Sequence, residues 1–116
     1  EDLAYPSADR QFLQAVIESI EAHLEQSEFD LDQLSKEVNM SKSTLYRKIK
    51  SMTGLTPLDF VRNVKMKRAC MMLSSHSVTI SEVAYAVGFN NPKYFTKCFK
   101  EEFGVTPTEY QQMQPS

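Results

Sequence analysis

The sequence predicts an all-α fold: two helix-turn-helix subdomains joined by a long linker helix and preceded by an extra N-terminal amphipathic helix. Apolar residues recur at helical spacing, capping signals bracket each periodic segment, and no run shows the apolar–polar alternation typical of a strand. The helices are expected at about residues 8–26, 31–38, 42–52, 57–74, 80–87, 92–102 and 107–113.

Start and stop signals define the ends of these helices. Each of the three glycines follows a helical segment, where a residue in the left-handed conformation closes the last turn. The start signals place a hydroxyl or carboxylate cap before the first helical turn, in two cases directly before a proline. The stops are Gly54, Gly88 and Gly104, and the starts are Asp30 with Gln33, Thr79 with Glu82, Thr106 with Glu109, Thr56-Pro57 and Thr106-Pro107.

An internal repeat relates the two subdomains, which we name the first and the second repeat. Four apolar positions recur 49 residues later: Leu31, Leu34, Val38 and Met40 match Ile80, Val83, Val87 and Phe89. Six positions recur 50 residues later: Leu45, Ile49, Lys50, Gly54, Thr56 and Pro57 match Phe95, Phe99, Lys100, Gly104, Thr106 and Pro107. Ordered agreement across both helices and their caps indicates two copies of one unit. The one-residue change falls between Met40 and Leu45, where we expect a turn that tolerates an insertion.

The distribution of charge separates the repeats from the rest of the chain. The 13 basic and 15 acidic residues give a net charge of -2, which taken alone argues against a nucleic-acid binder. However, residues 1–35 carry a net charge of -8, residues 36–100 carry +9 and residues 101–116 carry -3. The repeats therefore present a positive surface that the total charge hides.

Several function classes find no support in the sequence. No apolar run approaches a membrane span, and no signal peptide opens the chain, so we expect a cytoplasmic segment without membrane contact. Cys70 and Cys98 lie in apolar helical surroundings and are expected to be reduced thiols, with a disulfide or redox switch as the alternative. His23 and His76 have no partner at ligand spacing. With no phosphate loop, metal cluster or nucleophile–base pair, neither an enzyme nor a cofactor is expected.

The second helix of each repeat carries an outward polar face without acidic residues. The inward stripes are Leu45, Ile49 and Met52 in the first repeat, and Phe95, Phe99 and Phe103 in the second. The outward residues are Ser43, Tyr46, Arg47 and Lys50 (the first face), and Lys93, Thr96, Lys97 and Lys100 (the second face), each 50 residues after its counterpart. Because a solvated face usually mixes both signs, two such faces at equivalent places favour contacts with phosphates and bases.

Two other interpretations of this pattern stay open. Helical hairpins also occur as plain packing units, and aromatic residues beside lysines can stack on single-stranded bases. The phenylalanines, however, replace aliphatic core residues of the first repeat, which favours packing. A helical protein-interaction module without DNA binding is the alternative function, with the acidic helix and the basic body contacting different partners.

The linker helix supplies a geometric argument for two grooves. From Pro57 to Ser74 it is expected to be about 27 Å long, near the ~34 Å between successive major grooves on one face of DNA. A rod of that length can hold two reading helices in adjacent grooves. Its four cations serve either phosphate contact or solubility: Arg62, Lys65, Lys67 and Arg68.

The stretch from about Leu31 to Tyr110 resembles the DNA-binding domain of AraC/XylS-type transcription regulators. The match lies in LSKEVNMSKSTLYRKIKSMTGLTPLDFV and in VAYAVGFNNPKYFTKCFKEEFGVTPTEY. The resemblance implies base contacts from Ser43, Tyr46, Arg47, Lys93, Thr96 and Lys97. We expect phosphate contacts from Ser41, Lys42, Lys50, Asn90, Asn91 and Lys100. Several relatives carry tryptophan or arginine where Ser43 and Lys97 stand, so no base preference is implied.

The segment SADRQFLQAVIESIEAHLEQSEFDLDQLSKEVNMS is similar to the extension before this domain in bacterial hybrid two-component sensors. That resemblance implies the output domain of a carbohydrate-responsive system, with double-stranded promoter DNA, RNA polymerase and a second copy of the full-length chain as partners. We expect an acidic extension over residues 1–28 and a DNA-binding domain over 29–116, comprising 29–56, the linker 57–75 and 76–113. The first helix is expected to pack on the first repeat or to form a dimer contact.

Overall fold

The computed structural model describes residues 7–115, and every regular element in that range is an α-helix. The predicted all-α fold is confirmed, and each of the seven predicted helices is present. Their bounds are α1 Ser7–Ala22, α2 Leu31–Glu37, α3 Lys42–Thr53, α4 Pro57–Leu73, α5 Ile80–Ala86, α6 Pro92–Phe103 and α7 Pro107–Gln112.

The described chain forms two compact units, and α4 contributes to both. The first contains residues 7–23 and Phe29–Arg62, and the second contains Leu24–Glu28 and the chain from Asn63 onward. The core of the first compact unit includes Phe12, Val16, Ile20, Leu34, Leu45, Ile49, Phe60 and Val61. The core of the second is built from Met66, Ala69, Leu73, Val83, Ala84, Val87, Phe95, Cys98 and Phe99. Each repeat therefore buries its own apolar stripe within its own unit.

Helix α1 ends at Ala22, four residues before the predicted end. The apolar periodicity continues to Leu24, but this side chain packs against the core of the second compact unit. The Gln26 carbonyl accepts a hydrogen bond from Lys65 Nζ at 2.7 Å. Tertiary contacts thus end the helix earlier than its sequence pattern predicts, and the helix proper belongs to the first compact unit.

The turn between the paired helices has equivalent geometry in both repeats. Asn39 and Gly88 both have positive φ, at 62° and 86°. The residue after each donates its N–H back into the preceding helix, Met40 to Ser35 O at 3.0 Å and Phe89 to Ala84 O at 2.9 Å. Asparagine tolerates this conformation better than most side chains. Asn39 therefore ends α2 where glycine is absent, so the glycine pattern alone does not reveal this stop. The register offset of 49 residues pairs Asn39 with Gly88 and is the signal that finds it.

The start and stop signals of the second helices are also equivalent. Ser41 caps α3 and Asn91 caps α6, so the register here is 50 residues and the extra residue of the second repeat is Asn90. Gly54 and Gly104 close the same helices with φ of 78° and 80°. The glycine stops are therefore confirmed, and the predicted insertion lies at the entrance to α6.

The sequence places Phe103 in the core, and this is wrong. Its side chain is 36% exposed, although its ring centroid lies 4.7 Å from that of Phe99. Phe103 is the last residue of α6, so it covers the edge of the core rather than its centre. Met52, predicted on the equivalent inward stripe, is half-buried.

The capping boxes at Thr79 and Thr106 are complete. In the second box, the Glu109 N–H donates to Thr106 Oγ1 at 3.1 Å and the Thr106 N–H donates to Glu109 Oε1 at 2.9 Å. We expect Thr106→Ala to lower the free energy of unfolding by about 1 kcal/mol, because it leaves a helix N–H without its acceptor. Urea denaturation measures this loss. The control Thr108→Ala, at an exposed position of the same helix, should stay within ~0.5 kcal/mol of wild type. Equal losses in the two variants would contradict a role for the cap.

Candidate nucleic-acid interface

The twelve predicted site residues gather in two groups, one at the second helix of each repeat. Every one of them is exposed except Thr96, which is half-buried. Around α3 lie Ser41, Lys42, Ser43, Tyr46, Arg47 and Lys50, and around α6 lie Asn90, Asn91, Lys93, Thr96, Lys97 and Lys100. The structure thus brings together the predicted residues of each repeat on one solvent-facing region.

The orientation of α3 follows from its buried side. Leu45 and Ile49 are completely buried, which turns the first face toward solvent. Another cation of the helix, Lys48, lies elsewhere: its Nζ is 3.7 Å from Asp9 Oδ1 and 4.9 Å from the centroid of the Phe12 ring. Lys48 therefore joins α3 to α1, and Arg47 and Lys50 are the cations of the first face.

An aromatic cluster orients α6 in the same way. Phe95 and Phe99 are completely buried, with ring centroids 5.8 Å apart, and the Phe89 ring lies 5.4 Å from that of Phe95. These two side chains of α6 are core residues, as predicted, and offer no surface on which a base could stack. The sequence interpretation missed Tyr94, which is 46% exposed near the start of α6. Its position one residue after Lys93 is the signal that could have drawn attention to it.

One acidic residue, Asp32, lies beside Lys42 in the group around α3. Lys42 Nζ lies 3.8 Å from Asp32 Oδ1, and Lys36 Nζ lies 3.1 Å from Asp32 Oδ2. The hydrogen bond from Lys36, supported by its charge and by Lys42, lowers the pKa of Asp32 below its ordinary value. Asp32 is thus an anion that partly neutralises the positive charge of Lys42. The first face itself contains no acid.

Two of the predicted phosphate ligands also serve as helix caps. Ser41 Oγ accepts the Thr44 N–H at 3.2 Å, and Asn91 Oδ1 accepts the N–H groups of Lys93 and Tyr94 at 2.9 and 3.4 Å. Their side-chain oxygens are therefore engaged before any ligand arrives. Lys50 Nζ donates to the Gly54 carbonyl at 3.3 Å, which places a cation at the negative end of α3.

The cations of α4 divide into different environments. Lys67 is exposed, and Arg62 and Arg68 are half-buried. Lys65 is 9% exposed and binds the Gln26 carbonyl, so neither phosphate contact nor solubility, the two roles predicted for these cations, describes it. A buried lysine that donates to a backbone carbonyl is a structural residue.

His23 contacts Glu37 of α2, and neither Cys70 nor Cys98 forms a disulfide. His23 Nε2 lies 2.7 Å from Glu37 Oε2, and the hydroxyl of Ser19 donates to the same carboxylate. The Ser19 hydrogen bond, assisted by His23, lowers the pKa of Glu37. Cys70 and Cys98 are both free thiols, and burial raises the pKa of Cys70.

Among residues 7–115, no helix combines the length and the apolar character that a bilayer span requires.

The sequence matches known proteins over most of its length. A family model described as a helix-turn-helix domain matches residues 34–113. The chain is 37% identical over 110 residues to histidine kinase P4 of Formosa agariphila, covering 95% of this chain and 8% of that protein. It is 33% identical over 85 residues to the HTH-type transcriptional regulator MtrA of Neisseria gonorrhoeae, covering 73% of this chain and 28% of the regulator. The chain thus spans less than a third of either relative.

Solved structures share the fold. The C-terminal domain of AraT, a response regulator from Geobacillus stearothermophilus, superposes with a TM-score of 0.77 at 28% identity, covering 90% of this chain and 88% of that one. The DNA-binding domain of AdpA, a global transcriptional factor solved in complex with a target DNA, gives a TM-score of 0.74 at 28% identity, covering 86% and 89%. These relatives favour DNA binding over a protein-interaction module. The chain belongs to the AraC-type helix-turn-helix family of DNA-binding transcription regulators.

Proposed function

We propose that the first and second faces read two successive major grooves of double-stranded DNA. One observation carries this proposal: α3 and α6 each present cations and hydrogen-bonding groups at equivalent positions, 50 residues apart, and each helix fully buries two apolar side chains on its other side. A helix presented in this way is the element that enters a major groove in helix-turn-helix proteins.

The side chains of the two faces suit base edges. The guanidinium of Arg47 can donate two parallel hydrogen bonds to O6 and N7 of guanine, and the ammonium of Lys97 can bind the same pair of acceptors. Ser43 and Thr96 offer hydroxyls, and the Thr96 methyl can contact the methyl group of thymine. The Tyr46 side chain is 45% exposed beside Arg47 and supplies a hydroxyl and a ring edge. These residues, with Lys93, are the proposed base-reading set.

Phosphate contacts are assigned to the residues around the helix starts and to the later lysines. Three of them carry charge, Lys42, Lys50 and Lys100, and the others are the polar residues Ser41, Asn90 and Asn91. Counterion release by three cations predicts a slope of about -2.7 for log affinity against log salt, or a roughly 40-fold loss between 50 and 200 mM salt. Fluorescence anisotropy with a duplex of mixed sequence measures this dependence.

A paired variant tests the phosphate assignment directly. The double variant Lys50→Ala/Lys100→Ala should make the slope of log affinity against log salt shallower by about 2, because each lost phosphate contact lowers its magnitude by about 0.9. The control Lys48→Ala removes a cation of α3 that pairs with Asp9 outside the first face and should leave the slope unchanged. Binding that does not respond to salt, or no binding at 50 mM salt, would contradict an electrostatic contact with the backbone.

We further propose that this domain is the DNA-binding output of a hybrid two-component system that responds to carbohydrates. Support comes from the similarity to a histidine kinase over 95% of this chain and from the response-regulator origin of the AraT domain. In this proposal the full-length protein binds as a homodimer and contacts RNA polymerase at the promoter. Transcript levels of genes beside the bound sites should change when cells receive the inducing sugar. Constant transcript levels across a panel of carbohydrates would contradict this context.

A further inference from the structure

A chain of polar contacts links the start of α3 to the guanidinium of Arg47. Arg47 Nη2 donates to Thr44 Oγ1 at 3.4 Å, and Ser41 Oγ donates to the same oxygen at 2.9 Å. Ser41 Oγ in turn accepts the Thr44 N–H at 3.2 Å. From this arrangement we infer that Thr44 is a positioning residue, which holds the Arg47 side chain in one orientation before DNA arrives. The inference rests on the base contact proposed for Arg47.

The geometry of α3 makes Thr44 suited to this role. Residues 44 and 47 are three positions apart and therefore neighbours on one side of the helix. Threonine is branched at Cβ and has few rotamers, and the contact with Ser41 further restrains its hydroxyl. Arginine has many rotamers, so a contact that restrains it lowers the entropy lost on binding. A restraint of this kind is worth about 3- to 10-fold in affinity.

The second repeat lacks this device. The position equivalent to Thr44 is Tyr94, and the position equivalent to Arg47 is Lys97. Asn91, the cap of α6, accepts backbone N–H groups and has no hydroxyl to present to a cation on the second face. We therefore expect base discrimination to be sharper in the half-site that the first face reads than in the half-site that the second face reads.

The variant Thr44→Val separates positioning from capping. Valine keeps the branched shape of threonine and removes the hydroxyl, while the backbone N–H of residue 44 still donates to Ser41 Oγ. Thr44→Ser keeps the hydroxyl and should bind within 2-fold of wild type. Thr44→Ala also removes the hydroxyl, and it replaces Thr44→Val as the test variant if the valine side chain disturbs packing.

The experiment is a double-mutant cycle on the 116-residue chain. Affinities are measured for a duplex that the wild-type chain selects from a random pool and for a duplex of mixed sequence. We expect Thr44→Val to weaken binding to the selected duplex by about 3- to 10-fold and to leave binding to the mixed duplex unchanged. It should cause no further loss in the Arg47→Ala background, but its full loss in the Lys97→Ala background, because Lys97 does not depend on it.

Different outcomes separate the inference from the proposed function beneath it. If Arg47→Ala weakens binding while Thr44→Val binds like wild type, the positioning role is overturned and the base contact stands. The positioning role is also overturned if Thr44→Val loses the same affinity with and without Arg47. If Arg47→Ala itself binds the selected duplex like wild type, both the base contact and the positioning role are overturned.

Discussion

Replacing Arg47 and Lys97 together by alanine is expected to weaken binding to the selected duplex by about 2–6 kcal/mol. Each side chain is proposed to donate to a base, and a lost base contact costs roughly 1–3 kcal/mol. The two positions lie on different repeats, so their losses should add. Titration of labelled duplex with the single and double variants measures each loss. Wild-type affinity in both single variants would contradict the assignment of the two faces.

A neighbouring cation supplies the matched control for this prediction. Lys48 follows Arg47 on the same helix, but it contacts Asp9 and the Phe12 ring instead of belonging to the first face. Lys48→Ala removes the same charge from α3 and should change the affinity for the selected duplex by less than about 3-fold, since a cation without a phosphate contact adds only screened attraction. A loss as large as that of Arg47→Ala would mean that charge, rather than position, determines binding.

Replacing Gly88 by alanine is expected to lower the free energy of unfolding by about 2–5 kcal/mol. Gly88 has φ of +86°, which costs an L-residue roughly 1–2 kcal/mol. In addition, an added Cβ would lie 2.4 Å from the Gln26 carbonyl oxygen and 2.8 Å from that of Leu24. Both are backbone atoms, so the segment Leu24–Glu28 must shift, at a cost of about 1–3 kcal/mol. Urea denaturation followed by circular dichroism measures the loss.

The other two glycines separate these contributions. Gly54 and Gly104 have φ of +78° and +80°, but no heavy atom from beyond the adjoining residues lies within 4 Å of their added Cβ. Gly54→Ala and Gly104→Ala should therefore cost only the conformational part, about 1–2 kcal/mol each. Equal losses at all three positions would show that the close approach of residues 24–28 to Gly88 contributes nothing to stability.

Local signals in the sequence predicted most of the fold. Caps such as Asp30, Thr79 and Thr106 act on N–H groups within three residues, and the glycine stops act on the last turn of their own helix. Interactions of this range are visible in the order of residues alone. The internal repeat predicted the packing of the two units, because two copies with equivalent inward stripes imply equivalent packing and equivalent exposed faces.

The features that sequence reasoning missed depend on contacts between distant residues or on the orientation of single side chains. Lys65 and Gln26 are 39 positions apart, and their contact both buries a lysine and accompanies the early end of α1. Phe103 continues an apolar stripe but lies where α6 ends, so the stripe runs past the core. The role of Thr44 depends on side-chain orientation, because its hydroxyl accepts hydrogen bonds from both Ser41 and Arg47.

Selection of bound duplexes from a random pool tests the central claim, that two equivalent faces each read part of one site. Wild type, Arg47→Ala and Lys97→Ala are selected in parallel. Two faces in successive grooves predict a pair of short motifs about one helical turn apart. Arg47→Ala should lose sequence preference in one motif and Lys97→Ala in the other. A single motif, or the same change in both variants, would contradict reading by two faces.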